Sequence, residues 1–156
     1  MKNRQRGFSL IELLIVVAII LIIAAIAIPS LMHAKMSGNE ASAVGSLHTI
    51  ITASQTYAST YGRGYPTTLA QLGPSVIPSA TNADLLDSVL ASGAKSGYTF
   101  SYSAGPAVGG VVNSFAITAD PSTRGTTGQR SFYADQTFVI RFNSTTTASA
   151  TDSPLS

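Results

Sequence analysis

An uninterrupted apolar run near the start of the chain constrains the fold more than any other feature. Residues 8–28 read FSLIELLIVVAIILIIAAIAI, which is 21 residues with one charged side chain, Glu12. At about 1.5 Å per residue, a helix of this length is about 31 Å long, and that is enough to cross the hydrocarbon core of a bilayer. The sequence therefore predicts a membrane-spanning helix at residues 8–28.

Glu12 is the unusual residue of this helix. A carboxylate near the start of an apolar span is costly to place in lipid, and residues 8–28 contain no Lys or Arg that could pair with it. We therefore expect the partner of Glu12 to come from outside the span.

Two simpler interpretations of the apolar run are a secretory signal peptide and an uncut one-span anchor. Ala25-Ile26-Ala27 does resemble the small-x-small cleavage site of a secretory signal. The apolar region of such a signal is usually about 7–15 residues long and carries no acid, so the length of the run and Glu12 both disfavour it. The uncut anchor stays open as an alternative.

A short basic leader ends at Gly7 and is followed by Phe8-Ser9-Leu10-Ile11-Glu12-Leu13. This pattern resembles the processing site of type IV prepilins and of the related type II secretion pseudopilins. The resemblance implies that the prepilin peptidase/methyltransferase, an aspartyl protease of the membrane, cuts between Gly7 and Phe8 and that Phe8 is N-methylated. It also implies that Glu12 is the assembly glutamate. Because an α-amino group has a pKa of about 8, we expect Glu12 of one subunit to pair with the cationic Phe8 amine of the next.

The charge balance depends on the leader. The chain has 156 residues, which suits one membrane helix and one small domain. Removing Lys2, Arg4 and Arg6 from the 9 basic residues leaves 6 against 7 acidic ones, so bulk charge gives no reason to expect nucleic acid binding. The chain has no Cys, which excludes disulfides and thiolate metal sites. Cations before the span favour a cytoplasmic N-terminus and send the rest of the chain outward.

The helix is predicted to extend beyond the span. Pro29 disfavours helical geometry at Ile28, so we expect either a kink or the end of the helix there, and the family resemblance implies that the helix resumes. Six of seven residues that recur at three- and four-residue steps are apolar or aromatic and predict one buried helix face: Leu47, Ile50, Ile51, Ser54, Tyr57, Ala58 and Tyr61. Gly62-Arg63-Gly64 should end this helix.

Shorter signals follow along the chain. Helical turns are predicted at residues 68–72, with Thr67 as cap, and at residues 83–92, with Asn82 as cap. Alternating apolar residues then predict three or four antiparallel strands, near residues 98–103, 115–119, 130–134 and 138–142. A sheet this small cannot bury its apolar face alone, so it should pack on the long helix.

Several further features have two interpretations each. A stripe of small residues is either a subunit contact or a flexible helix segment: Ala34, Gly38, Ala41, Ser42 and Gly45. His33 and His48 lack acidic or Cys companions at ligand spacing and are interpreted as packing or surface residues. Four acids lie in or beside loops and are turn or capping carboxylates unless they converge on calcium, as the resemblance to major pseudopilins allows: Asp84, Asp87, Asp120 and Asp135. The tryptophan-containing calcium-loop segment of those pseudopilins is missing, since the chain has no Trp.

The predicted organisation has five parts. Residues 1–7 are the leader, 8–28 the transmembrane and assembly helix, 29–61 its amphipathic half, 62–142 a globular sheet domain, and 143–156 a Ser/Thr-rich disordered tail. The fold class is α+β and pilin-like, with one long N-terminal helix packed on a small antiparallel sheet. No metal site, cofactor or enzymatic activity is expected, because the sequence has no phosphate-binding loop, HExxH motif or Cys/His cluster.

Three functions follow from this organisation. The first is a type IV pilin that polymerises into a pilus for adhesion, motility or DNA uptake, and the second is a type II secretion pseudopilin. The third is a membrane-tethered periplasmic binding module that does not polymerise. For the first two, the resemblance implies copies of the same chain, the peptidase, an inner-membrane platform protein, an assembly ATPase and membrane lipid as partners. It implies a location in the inner membrane and then in an extracellular pilus or periplasmic pseudopilus.

Overall fold

The computed structural model describes residues 8–155, so the leader at residues 1–7 and Ser156 lie outside the described residues. The chain divides into two compact units, Met1–Lys35 and Met36–Ser156. One helix, α1 (Leu10–Tyr61), contributes residues to both units and is 52 residues long.

The part of α1 in the first unit is apolar and exposed. Its large apolar side chains are exposed along its length, for example Leu10 at 80% and Ile28 at 57% of the residue surface. Among the described residues of the first unit, no other segment covers them. Pro29 lies inside α1, and the helix continues beyond it. The prediction that the helix resumes is thus confirmed, and the alternative that it ends at Pro29 is wrong.

The part of α1 in the second unit buries one face. The first five residues of the predicted face, from Leu47 to Tyr57, are buried, and Tyr61 is partly buried against them. Residues on the sheet and on the short helices complete this core: Leu72, Leu90, Tyr98, Phe115, Ile117 and Phe132. The three- and four-residue spacing therefore identified the packed face correctly.

A five-stranded antiparallel sheet forms the other layer. Its strands are β1 (Ala94–Lys95), β2 (Tyr98–Ala104), β5 (Phe115–Pro121), β6 (Ser131–Asp135) and β7 (Arg141–Asn143), and they lie side by side in this order. A separate hairpin joins β3 (Ala107–Val108) to β4 (Val111–Val112). The α+β pilin-like fold is confirmed, with more strands than the three or four expected, because two-residue strands are too short to show alternation.

The short helices lie close to their predicted positions. A 3₁₀ helix covers Leu69–Leu72, with Thr68 and not the predicted Thr67 at its N-cap position, and α2 covers Ser88–Ala91. The cap of α2 is Asp87, whose carboxylate accepts a hydrogen bond from the Leu90 N–H at 2.9 Å, so the prediction of Asn82 as cap is wrong. Asp84 has a φ of 55°, which a right-handed helix cannot include, and this explains why the helix begins later than predicted.

The last strand also begins later than predicted. Phe138 has a φ of 63° and its N–H donates to the Asp135 carbonyl at 2.9 Å, so it belongs to the turn after β6. The alternation of Phe138, Ile140 and Phe142 is therefore not the alternation of one continuous strand. Only the second half of the predicted segment pairs with β6, through Phe132–Phe142 and Tyr133–Arg141.

The C-terminal residues differ from the prediction of a disordered tail. Ala148 is 3% exposed, and Leu155 packs against the core. The Asn143 amide donates to Asp152 Oδ1 at 2.9 Å, and the Asp152 carboxylate also accepts from the Ser149 N–H at 2.7 Å. Composition predicted disorder because these residues have little to bury. They are ordered instead by hydrogen bonds among their own polar groups.

Candidate functional site

The first candidate site is the beginning of α1. The Ser9 carbonyl accepts hydrogen bonds from the N–H groups of Glu12 at 3.1 Å and Leu13 at 3.2 Å, which closes the first turn. Phe8, which precedes this turn, is 76% exposed, and Glu12, which lies within the turn, is also exposed. Gly7 lies outside the described residues. The structure thus describes Phe8 and Glu12 as accessible groups at the start of the helix, and the cleavage, methylation and pairing assigned to them stay predictions.

Apart from Glu12, the side chains of α1 from Leu10 to Ile28 are apolar on every face of the helix. A helix that is apolar all round is stable only where lipid or other apolar segments cover it. By length and composition, α1 is the one helix among the described residues that could cross a membrane. The site is therefore a carboxylate on the first turn of a helix that needs an apolar environment.

A second polar site lies on α1 inside the second unit, and we call it the Glu40 clamp. Glu40 Oε1 accepts hydrogen bonds from the main-chain N–H groups of Gln129 at 2.8 Å and Arg130 at 3.1 Å. Glu40 Oε2 accepts from Arg130 Nε at 2.7 Å. Glu40 is 8% exposed, and these three bonds satisfy its charge. The Glu40 clamp holds the loop between β5 and β6 against the helix.

Neighbouring residues reinforce the Glu40 clamp. Asn39 Nδ2 donates to the Thr127 carbonyl at 2.7 Å, and the Tyr98 hydroxyl donates to the Arg130 carbonyl at 2.7 Å. The Arg130 guanidinium carbon lies 5.7 Å from the ring centroids of Phe132 and of Phe142, which is within cation–π range. Helix, loop and sheet therefore meet around one ion pair.

The clamp shifts the pKa of two of its groups. Burial by itself raises the pKa of Glu40, but the hydrogen bonds from Gln129 and Arg130 and the Arg130 charge outweigh it and lower that pKa. Burial, followed by the charge of Glu40, raises the pKa of Tyr98 to about 12. At neutral pH the carboxylate is thus charged and the phenol neutral, which are the forms that make the hydrogen bonds described above.

No sequence pattern predicted the Glu40 clamp. Its partners lie 89 and 90 residues away along the chain, and no short motif connects them. One signal was present, an acid at the N-terminal end of the buried helix face, in the polar pair Asn39-Glu40. That signal does not identify Arg130 as the partner.

The four acids have separate roles and do not converge, and Asp120 lies in β5 and not in the predicted turn or capping position. Asp84 accepts from the Ser75 N–H at 3.3 Å, Asp120 accepts from the Ser131 hydroxyl at 2.7 Å, and Asp135 accepts from the Thr137 N–H at 2.8 Å. Asp87 caps α2, and the Leu90 N–H lowers its pKa more than any other group does. Within residues 8–155, no three His, Cys, Asp or Glu side chains are grouped closely enough to hold a metal ion.

The small-residue stripe and the two histidines lie on the exposed side of α1. The space that a Cβ would occupy at Gly38 and at Gly45 is open, and His33 and His48 are exposed. Ser42 Oγ donates to Ser96 Oγ at 2.9 Å. The stripe is accessible, and its role as a subunit contact stays a prediction.

Comparisons with known proteins agree with the sequence pattern at the N-terminus. Residues 2–28 match the family model described as the prokaryotic N-terminal methylation motif. The chain is also similar to the type II secretion system core protein G of Dickeya chrysanthemi, with 34% identity over 76 residues, which is 49% of each of the two chains. The chain thus spans about half the length of this curated relative. No solved structure matches the chain.

The matched motif, the similar relative and the fold all point to the same kind of protein. The matched motif covers Phe8, Glu12 and the apolar run, and the fold joins one long apolar N-terminal helix to an antiparallel sheet. The chain therefore combines the N-terminal methylation motif with a pilin-like α+β fold, and its resemblance to the pilin and pseudopilin family is confirmed.

Proposed function

We propose that this chain is the subunit of a helical filament. In this proposal the peptidase cleaves between Gly7 and Phe8, the helix α1 anchors the subunit in the inner membrane, and the N-terminal parts of many helices assemble into a filament core. The observation that carries the proposal is Glu12, an exposed carboxylate on the first turn of an otherwise apolar helix and within the matched motif.

The proposed role of Glu12 follows from charge in a low-dielectric environment. Two opposite charges at contact distance attract far more strongly among apolar helices than in water. The N-terminal amine that cleavage exposes on Phe8 of a neighbouring subunit supplies the positive charge. The pair removes the cost of placing an isolated carboxylate in an apolar core, so it favours one axial register between adjacent helices.

Hydrophobic burial permits this assembly without driving it strongly. The side chains from Leu10 to Ile28 are covered by lipid before assembly and by other helices afterwards, so little apolar surface changes its contact with water. The proposal therefore assigns the work of extraction to a cytoplasmic ATPase that acts through a membrane platform protein.

Replacing Glu12 tests this proposal. We expect Glu12→Ala to abolish filaments on sheared cells while the subunit is still cleaved and membrane-bound, and Glu12→Asp to retain part of the assembly because it keeps the charge. Electron microscopy measures filaments, and mass spectrometry of the N-terminus measures cleavage. Normal filament levels in Glu12→Ala, or a cellular product that still begins at Met1, would contradict the proposal.

The type of filament is the finer part of the proposal, and we propose a type IV pilus as the first candidate. Support comes from the four acids that could have formed a calcium site of the kind that the resemblance to major pseudopilins allows, because they make hydrogen bonds in four separate places instead. A pseudopilus is the second candidate, and the similarity to a type II secretion core protein G favours it.

Deleting the gene separates the two candidates. If the chain is a pilus subunit, the deletion is expected to remove surface filaments and to leave the secreted proteins unchanged. If the chain is a pseudopilin, the deletion is expected to leave folded exoproteins in the periplasm. Membrane retention with neither phenotype would instead support the tethered, non-polymerising binding module.

A further inference from the structure

The last residues of the described chain lie along the free edge of the sheet, and we call residues 152–155 the edge strap. Strand β7 pairs with β6 on one side. On its other side, the Phe142 N–H donates to the Ser153 carbonyl at 3.1 Å, and the Leu155 N–H donates to the Ile140 carbonyl at 2.8 Å. These two bonds flank an antiparallel bridge between Arg141 and Pro154. The edge strap thus occupies the groups of β7 that would otherwise be free.

The edge strap is itself a poor partner for another strand. In an antiparallel pair, a residue between two flanking hydrogen bonds directs its own main-chain groups away from the partner strand. Pro154 is in that position, so its nitrogen is directed outward and has no hydrogen to donate. The next outward donor is the Asp152 N–H, and it is bonded to the Ser149 carbonyl at 3.2 Å. From Asp152 to Leu155, the outer edge therefore offers no free N–H.

Side chains fix the edge strap in place. Arg141 Nη1 donates to the Asp152 carbonyl at 2.9 Å, and the Asp152 carboxylate holds both Asn143 and Ser149. The Leu155 side chain packs against the core. At the opposite edge, β1 is only two residues long and contains Lys95, and short or charged strands disfavour pairing with another chain.

We propose that the edge strap keeps this edge of the sheet from pairing with the same edge of a second copy of this chain, because it covers β7 and presents Pro154, which has no N–H, on its outer side. An unprotected sheet edge pairs readily with other edges, and the risk is greatest where many copies are concentrated in one membrane. The same edge on a second copy is the matching partner, since two β7 strands can pair antiparallel. This proposal does not depend on filament assembly.

Two variants test this proposal. Both are made in a Glu12→Ala background so that helix-driven assembly does not contribute. The first ends at Thr151 and lacks the edge strap. The second, Pro154→Thr, leaves the strap in place and adds one outward N–H. The matched control is Pro78→Thr, which changes an exposed loop proline away from the sheet edge. Circular dichroism in detergent micelles checks that each variant is folded.

Analytical ultracentrifugation and hydrogen exchange give the readouts. We expect the shortened chain to self-associate at roughly tenfold lower concentration than the Glu12→Ala parent, the factor that about 1.4 kcal/mol represents, and Pro154→Thr to shift in the same direction by less. In the shortened chain, which has lost the bond from the Phe142 amide to Ser153, that amide should be protected only in the associated form. The proposal is wrong if Pro154→Thr is folded and associates no more than Pro78→Thr, or if the shortened chain associates with that amide unprotected. Should the shortened chain fail to fold, Pro154→Thr alone decides.

Discussion

The two halves of α1 have the same backbone conformation and opposite surroundings. Residues 10–28 present apolar side chains on every face and leave them exposed, whereas the half from Glu40 to Tyr57 buries one face against the sheet. Helix formation alone therefore does not distinguish them. The difference lies in what must cover each half. Other elements of the same fold cover the second half, whereas the first half needs lipid or other apolar segments.

Each half also contains one glutamate, and the pair shows the same contrast. Glu40 is buried and accepts three hydrogen bonds from Gln129 and Arg130. Glu12 is exposed on the first turn. One carboxylate stabilises the fold of a single subunit, and the other is available to a group from outside it.

The largest expected effect comes from deleting equivalent apolar side chains in the two halves. Ile50 is 0% exposed and Ile20 is 58% exposed. We expect Ile50→Ala to lower the free energy of unfolding by about 2–5 kcal/mol, because it leaves a cavity, and Ile20→Ala to change it by less than about 0.5 kcal/mol. Urea unfolding of the full chain in detergent micelles, followed by near-ultraviolet circular dichroism, measures both. Equal losses would show that the first half also supports the sheet domain.

The two glutamates provide the next test. We expect Glu40→Gln to lower the free energy of unfolding at pH 7 by about 2 kcal/mol, since it weakens hydrogen bonds to a charged group, and Glu12→Gln to leave it unchanged. Because the pKa of Glu40 is lowered in the folded state, its contribution is complete above the unfolded-state pKa of about 4.3 and is lost as the pH falls through the folded-state value. Unfolding curves between pH 2 and pH 7 should show this loss in the parent and in Glu12→Gln. The same loss in Glu40→Gln would contradict the assignment.

Sequence patterns identified the parts of this fold that depend on local periodicity. The apolar run predicted the first half of α1, and the three- and four-residue spacing predicted its buried face from Leu47 to Tyr57. The alternation at Tyr98, Phe100 and Tyr102 predicted β2, of which the first two are buried. In each case the residue pattern is repeated often enough to determine both the element and its packed side.

Contacts between distant segments could not be predicted in this way. Glu40 meets Arg130 across 90 residues, and the edge strap pairs with β7 although its composition predicted disorder. Main-chain pairing leaves little trace in side-chain pattern, and Pro154 is even a residue that disfavours a central strand. The first candidate site differs from these contacts. Gly7, Phe8 and Glu12 belong to one short motif of neighbouring residues, so the sequence alone identifies them as candidates.

A smaller effect is expected from the hydroxyl that supports the Glu40 clamp. Tyr98→Phe removes the hydrogen bond to the Arg130 carbonyl, and we expect a loss of about 1 kcal/mol in the free energy of unfolding. The control is Tyr133→Phe, because the Tyr133 hydroxyl makes a longer contact, 3.3 Å to Asp135, in a half-buried position. Thermal unfolding of both variants measures the difference. A larger loss in Tyr133→Phe would indicate that the Tyr98 bond does not support the clamp.

The smallest expected effect is a gain in stability at Gly45, on the exposed side of the packed half. Apart from the adjoining residues and the backbone of the same helix, no atom lies within 4 Å of the position that a Cβ would occupy there. Ala is favoured over Gly inside a helix by about 0.8–1.0 kcal/mol, so Gly45→Ala should raise the melting temperature by a few degrees. Gly128→Ala is the contrasting variant, because its Cβ would collide with the Tyr98 hydroxyl and should lower the melting temperature.

Filament yield then decides the role of the small-residue stripe. If neighbouring subunits approach α1 closely at Gly45, the added methyl group should reduce assembly although the single subunit is more stable. Because stability and assembly change in opposite directions, loss of folding cannot explain such a result. Unchanged filament yield in Gly45→Ala would mean that the stripe is not a contact and that the packed half of α1 faces solvent on its outer side.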